Sequence, residues 1–263
     1  MTIRALLETR GVSKHFGGLQ AISDVSFDIR QGEIFSIIGP NGAGKTTLFN
    51  LITGFLAPTR GEIYFQGEKI SGLKPYQVAR KSLGRTFQLT TLFERNTVLE
   101  NLVIGQRATR ETSVLNGMFG WRGKRATENK TLERAHQLSE TIGLGREKDT
   151  VAGLLPQRAR KQLSIGLALA SEPELLLLDE PAGGVGAGEV GMIIELISRI
   201  RDAGTTICLI EHKMSMVMNI SDRILALNYG KKVTEGIPAE VCQNEEVIKS
   251  YLGEKYAASR RAC

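Results

Sequence analysis

Apolar and polar residues alternate through Val25-Ser26-Phe27-Asp28-Ile29, which predicts a strand with one buried face. Gln31-Gly32-Glu33 then turns the chain into Ile34-Phe35-Ser36-Ile37-Ile38, a short run rich in β-branched and aromatic residues. The pattern predicts a hairpin whose second strand is buried on both faces. A similar unit follows, with Arg60-Gly61-Glu62, Ile63-Tyr64-Phe65 as strand, and Gln66-Gly67-Glu68 as turn. From Thr97 the period changes. Val98, Leu99, Leu102 and Val103 recur at helical spacing, a polar connection is expected over 107–125, and Leu132, Ala135, Leu138 and Ile142 mark one face of an amphipathic helix over 127–142. Another helix is expected over 158–170. Leu175 to Leu178 reads as a buried strand, and Glu189 to Asp202 as a helix carrying Ile193, Leu196, Ile197 and Ile200 on one face and ending at Gly204. Thr205 to Ile210 and Ile224 to Leu227 are further strands, Asn228-Tyr229-Gly230-Lys231 is a turn, and Pro238 to Glu254 reads as two short helices. Antiparallel strands early and strands alternating with helices later predict an α/β fold with a mainly parallel sheet covered on both faces.

Between the buried strand at Ile34–Ile38 and a helix expected from Thr46 to Phe55 lies Gly39-Pro40-Asn41-Gly42-Ala43-Gly44-Lys45-Thr46-Thr47. It fits the phosphate-loop pattern of a glycine, four residues, then Gly-Lys-Thr. Such a turn aims successive backbone N–H groups and the positive end of a helix dipole at one point, where an anion belongs. A nucleoside triphosphate is the expected ligand. Lys45 would reach its terminal phosphates, the Thr46 hydroxyl would sit on Mg²⁺, and Gly42 and Gly44 leave room for phosphate against backbone. An accidental match would be an ordinary turn, but strand, loop and helix stand here in the required order.

Leu175-Leu176-Leu177-Leu178-Asp179-Glu180 places two carboxylates at the C-terminal edge of a buried strand, where open α/β sheets bind ligands. Asp179 would help hold Mg²⁺, and Glu180 could polarise the water that attacks the γ-phosphate. His212 follows the strand ending at Ile210 and projects from the same edge, within reach of that phosphate. His15 and His136 are read as structural. Gln88, after Arg85-Thr86-Phe87, could reach Mg²⁺ or the attacking water; spacing alone does not decide it. Gly186-Ala187-Gly188-Glu189-Val190-Gly191 matches a dinucleotide-binding pattern, yet Asp179 to Val185 separates it from the preceding strand, whereas that motif needs its glycines directly after the strand.

Composition narrows this picture in a few respects. With 263 residues and 41% hydrophobic content the chain can build a real core, as one large domain or two modest ones. A formal charge of +6 allows nucleic acid or an anionic membrane surface as neighbours, but a nucleotide site needs positive potential for its own ligand. Cys208, Cys242 and Cys263 are odd in number and widely spaced, so neither a disulfide framework nor a zinc site is indicated, and a reducing compartment fits. The most apolar stretches fall short of the ~20 residues that span a bilayer, and the N-terminus does not resemble a signal peptide. Work at a membrane would go through partners.

With the phosphate loop, Gln88, the two carboxylates and His212 in this order, the whole chain resembles the ATP-binding subunits of ABC transporters. The resemblance implies one ABC ATPase domain over 1–263. Residues 1–88 and 171–263 would form the P-loop core with an antiparallel β-subdomain, and 89–170 an inserted α-helical subdomain with the signature loop. It also implies that Phe16 stacks on adenine, Gln88 is the Q-loop glutamine, Glu180 the catalytic glutamate and His212 the switch histidine. ATP and Mg²⁺ are the implied ligands. Arg85-Thr86-Phe87-Gln88, Thr97-Val98-Leu99-Glu100-Asn101-Leu102, the connection near Trp121, Ile220-Ser221-Asp222-Arg223-Ile224 and Tyr251-Leu252-Gly253-Glu254 are similar to the branched-chain amino acid importers. The implied partners are membrane-spanning permease subunits, a second ATPase subunit and, indirectly, a periplasmic or extracellular solute-binding protein. The implied place is the cytoplasmic face of the membrane, peripherally bound, with no nucleic acid.

One stretch departs from the family. In Leu155-Pro156-Gln157-Arg158-Ala159-Arg160-Lys161-Gln162, Arg158 occupies the position of a signature-loop glycine, and Gly186 stands where the family has Asn or Asp. That glycine lets backbone N–H groups approach the ATP of the opposite subunit, so a heterodimer with an intact partner is expected. The competing readings are a soluble ABC protein of DNA repair or translation, and a P-loop kinase or GTPase. The first usually needs a coiled-coil insertion or a second phosphate loop, and the other should lack the Gln88 and His212 pattern; this chain shows neither heptads nor a second loop.

Overall fold

The computed structural model describes residues 5–86, 92–109 and 121–249, without the side chains of 107–109 and 121–127. Two sheets share the work. The first is antiparallel: β1 (Ala5–Phe16) pairs β2 (Leu19–Arg30) on one side and β4 (Arg60–Phe65) on the other, with β5 (Glu68–Lys69) beyond β4. The second has six strands in the order β10-β9-β3-β8-β7-β6. Here β3 (Ile34–Ile38) lies between β8 (Thr206–Ile210) and β9 (Arg223–Asn228), and β7 (Leu175–Asp179) between β6 (Leu83–Arg85) and β8. These five run parallel, and β10 (Lys231–Gly236) closes the edge antiparallel to β9.

The central strands are apolar throughout because both faces are covered. Successive side chains point to opposite faces of a sheet. Leu175, Leu177, Phe35, Ile37, Cys208 and Ile210 therefore join the core under the antiparallel sheet and α1 (Lys45–Ile52). Leu176, Leu178, Ile34, Ile207 and Leu209 join the opposite core, with α5 (Gln157–Leu169) and α6 (Val190–Asp202). On α6 the expected stripe Ile193, Leu196, Ile197 and Ile200 is buried, and Gly204 has φ +102° just past its end.

Between β6 and α5 the chain is helical, with α3 (Val98–Thr109) and α4 (Trp121–Thr141), whose buried residues join the second core. Four short helices complete the order among the described residues: α2 (Pro75–Ala79) ahead of β6, α7 (Met214–Ile220) between β8 and β9, and α8 (Pro238–Gln243) and α9 (Glu245–Val247) at the end.

Four expectations need correction. Gln31-Gly32-Glu33 is not a hairpin turn: it carries the chain from one sheet to the other, with Gly32 N–H donating to Thr206 Oγ1 (2.9 Å) and Ile34 N–H to Asp222 Oδ2 (2.8 Å). The turn is held by the second sheet, and its own residues do not specify that destination. The β4–β5 hairpin, by contrast, is real. Leu132 is exposed, although Ala135 and Ile142 of the expected stripe are buried and Leu138 packs against the second core; Thr131 and Ser139 complete the buried face. There the Thr131 carbonyl accepts from Gln106 Nε2 (3.1 Å) of α3. The expected polar connection is shortened, since α3 runs to Thr109 and α4 begins at Trp121. Finally, β1 and β10, which the periodicity did not single out, are strands of six residues or more.

Candidate active site

The phosphate loop is placed by β3 and α1. Gly39, at φ +155°, sits where a Cβ would lie 2.3 Å from the Leu227 carbonyl oxygen of β9, so a side chain there would displace either the loop or the strand. At the other end Gly44 caps α1 in a left-handed conformation with no side-chain cap, which leaves the first N–H groups of the helix for another acceptor. Lys45 is 6% exposed, and its ammonium donates to the carbonyls of Gly39 (2.7 Å) and Pro40 (2.9 Å). Burial lowers its pKa from the ordinary lysine value, and the carboxylates of Glu180 and Asp179 oppose that shift. Negative charge at this point would favour the charged ammonium further.

A cavity of about 510 Å³ opens over the loop. Asn41, Gly42, Gly44, Lys45, Thr46 and Thr47 line it from one side, and Glu180 and His212 from the sheet edge. Phe16, Leu19, Gln20 and Ala21 come from the β1–β2 turn, and Tyr229 from the β9–β10 turn. Of the expected residues, Gly39, Pro40 and Ala43 shape the loop from behind the lining. Gln88 lies outside the described residues.

Glu180 follows β7 with φ +50°, an uncommon conformation for a residue with a side chain. Its N–H donates to the Ile210 carbonyl (2.9 Å), and its own carbonyl accepts from Lys161 Nζ (3.1 Å). Its carboxylate oxygen Oε1 lies 3.0 Å from His212 Nε2. An ionised carboxylate only accepts, so Nε2–H is assigned as the donor in this pair. The histidine thus orients the glutamate, a partnership that spacing did not reveal. Glu211 holds the edge together: its buried carboxylate accepts from the backbone N–H groups of Ala182 (2.7 Å), His212 (2.9 Å) and Lys213 (3.2 Å).

Asp179 is buried behind the cavity and paired with Arg85 Nη2 (3.2 Å), the two side chains being 2% and 6% exposed. Arg85 Nη1 donates to Asn50 Oδ1 (2.7 Å) of α1 and to Thr53 Oγ1 (3.0 Å) just past its end. Burial raises the pKa of Asp179 and lowers that of Arg85, and in each case the partner's charge only opposes the shift. Asp179 Oδ1 has no hydrogen-bond partner among the described residues. Sequence reasoning missed Arg85, whose only signal was an arginine at the end of a short strand.

The signature segment opens α5. Arg158 does not project freely: Nε donates to Glu189 Oε1 (3.2 Å) and Nη1 to Gln162 Oε1 (2.6 Å). The Gly186–Gly191 glycines begin seven residues beyond β7, in a 3₁₀ turn and the start of α6, so the dinucleotide reading has no strand to serve.

A family model described as ABC transporter matches residues 22–183, more than half of the sequence. The chain belongs to the ABC transporter family. A second model, branched-chain amino acid ATP-binding cassette transporter, matches residues 231–257 of this ABC ATPase. It is 42% identical over 250 residues to the high-affinity branched-chain amino acid transport ATP-binding protein LivG of Salmonella typhimurium, covering 95% of this chain and 98% of that one. It is 40% identical to BraF of Pseudomonas aeruginosa, which carries the same description, over 95% and 99% of the two chains. Among solved structures it resembles the ADP conformation of MJ1267, an ATP-binding cassette of an ABC transporter, with TM-score 0.84, 32% identity, and 95% and 100% coverage. A transport ATPase is therefore the reading that stands over a soluble ABC protein, a kinase or a GTPase, and ATP is its nucleotide.

The donor set suits a hard divalent cation. A buried carboxylate oxygen without a partner and an exposed Thr46 hydroxyl at the phosphate loop are both oxygen ligands of the kind that Mg²⁺ takes.

Proposed function

We propose that this ABC ATPase powers a membrane importer of branched-chain amino acids. It would bind peripherally at the cytoplasmic face to permease subunits that receive solute from an external binding protein. The observation that carries the chemistry is the single cavity in which the phosphate loop, Lys45 and the Glu180–His212 pair meet. The names of the LivG and BraF relatives support the cargo. In this reading Phe16 stacks on adenine and Lys45 and the N-terminus of α1 hold the phosphates. Glu180, oriented by His212, takes the proton of the attacking water, and Gln88 is assigned to that water or to Mg²⁺ by the family resemblance. Thr46 and Asp179, with Gln88, would hold Mg²⁺, which supplies charge neutralisation at the phosphates. Residues 89–170 form the helical subdomain that meets the permease. Among the described residues no helix is long and apolar enough to cross a membrane, which suits a peripheral subunit.

A second ATPase completes the assembly, and we favour a heterodimer. Arg158 has a side chain where the family pattern has glycine, and Glu189 and Gln162 engage its guanidinium. Both leave this signature poorly fitted to the partner's ATP. The reading is tested by uptake of labelled leucine into vesicles holding the assembled transporter, with and without ATP inside. ATP-dependent uptake of leucine is expected, and ATP hydrolysis stimulated by a different solute would displace the cargo.

A further inference from the structure

We propose that Tyr229 is a nucleobase contact, the second aromatic wall of the ATP cavity, presented by a turn that is fastened to the phosphate loop. This rests on the reading that the base lies at the Phe16 end. The cavity is graded along its length. Lys45, Glu180 and His212 line it beside the phosphate loop, whereas the adjoining ends of β1 and β2 and the β9–β10 turn contribute Phe16, Leu19, Gln20, Ala21 and Tyr229. An end with two aromatic lining residues joined to a phosphate-binding end matches a nucleotide. Phe16 offers the base limited surface, because the Lys14 ammonium stands over its ring at 5.2 Å from the centroid. A second aromatic would add the missing contact area.

Tyr229 is an odd choice for its position unless the ring is used. It is 85% exposed, and it and Gly230 form the two-residue loop between Asn228 and Lys231, with φ +46° and +74°. A tight hairpin with both central residues at positive φ favours Asn-Gly, and an aromatic residue at its first central position is strained. The turn is also immobilised on the site it borders. Gly230 N–H donates to the Ala43 carbonyl of the phosphate loop (3.1 Å), and its carbonyl accepts from Ser23 N–H of β2 (2.8 Å). A Cβ on Gly230 would meet the Ala21 carbonyl oxygen at 2.5 Å. Phosphate loop, the start of β2 and the β9–β10 turn thus keep one spacing, and the Tyr229 backbone is held at the edge of the cavity it lines.

The test uses the full chain and two ligands, ATP and inorganic tripolyphosphate, which shares the phosphates and lacks the base. Tyr229→Asn suits the turn, so fold is retained. It is expected to weaken ATP about fivefold or more, the scale of one base–aromatic stack, and to leave tripolyphosphate unchanged. Tyr229→Phe should stay within about twofold of wild type for both, since the ring remains. Phe16→Ala should also weaken ATP selectively. If Phe16→Ala weakens ATP and Tyr229→Asn does not, the Tyr229 contact is wrong and the base site stands. If neither does, the base reading falls with it. Equal losses for ATP and tripolyphosphate in Tyr229→Asn would make the residue a prop for the phosphate loop and overturn the proposal.

Discussion

Glu180 and His212 are 3.0 Å apart, so the glutamate is already oriented at the cavity before any ligand is considered. Glu180→Gln should keep nucleotide affinity within a few-fold, because Lys45 and the α1 N-terminus are untouched, while phosphate release falls at least ~10²-fold with the loss of the base. Activity above about a tenth of wild type would point to another base. Lys45→Ala should instead weaken binding itself, read by equilibrium titration, since the ammonium contacts phosphate in the ground state too. Arg85 acts one layer behind. Arg85→Leu leaves Asp179 buried without its cation and should cost about 3–5 kcal/mol in denaturant unfolding. The pKa of Asp179, already raised by burial, should then rise further. Because the ionised form requires a pH above that pKa, Mg²⁺-dependent nucleotide binding should be lost at higher pH in the variant than in wild type. A stability loss below about 1 kcal/mol would mean that the pair is dispensable.

At the scale of elements, α5 and the turn before α6 meet through Arg158 and Glu189. The pair is partly exposed, and its weight is positional more than energetic. It ties the signature segment to the chain's own loop after β7, as does the Lys161 contact to the Glu180 carbonyl; Lys213, from the loop after β8, holds the same loop at the Val185 carbonyl. Arg158→Gly, made in the assembled transporter, should speed hydrolysis at the partner's site and leave the site at Lys45 unchanged. Letting a backbone N–H, unobstructed by a side chain, reach developing charge is worth roughly 10²–10³ in rate where geometry allows. Measuring ATPase with each subunit's catalytic glutamate disabled in turn separates the two sites. Brisk hydrolysis by this chain alone as a homodimer, or no change at the partner's site, would end the asymmetric scheme.

At the scale of the whole molecule, the two sheets are joined by a charged knot. Arg223 of β9 reaches Asp28 of β2, Glu33 beside β3, and Glu235 of β10. Its guanidinium also lies over the Phe35 ring, 5.3 Å from the centroid. Arg223→Met should destabilise the fold by about 3–5 kcal/mol, because it leaves the buried Glu33 carboxylate without its cation, whereas Glu235 keeps Lys232. Glu33 has a pKa raised above 4.5, first by burial, against the pull of an N–H bond and Arg223. A raised pKa in the fold means that its stability contribution is full below 4.5 and declines as pH rises through the folded value. Glu33→Gln should therefore flatten the pH dependence of unfolding over that acid window. An unaltered profile would show that Glu33 does not titrate there.

Much of this was legible along the chain because local rules apply. A phosphate loop needs its own glycines, lysine and threonine in a row, so Gly39 to Thr47 declared the ligand class without any tertiary contact. Leu175 to Glu180 likewise carried both a buried strand and its terminal carboxylates, and the α6 stripe repeated every turn. What pairing at a distance decides was not legible. The turn at Gln31–Glu33 sends the chain to a second sheet because Thr206 and Asp222, far along the sequence, bind its N–H groups. At its start the buried face of α4 takes Thr131 in place of Leu132, where Gln106 of α3 meets it. Arg85 finds Asp179, His212 finds Glu180, and Tyr229 reaches the cavity, only once parallel strands align the edges that carry them. Hydrophobic period and loop chemistry are properties of neighbouring residues, and the sequence determined them alone. The partner of a charge, and the face on which a turn arrives, depend on which strands lie side by side, and the tertiary structure decided those.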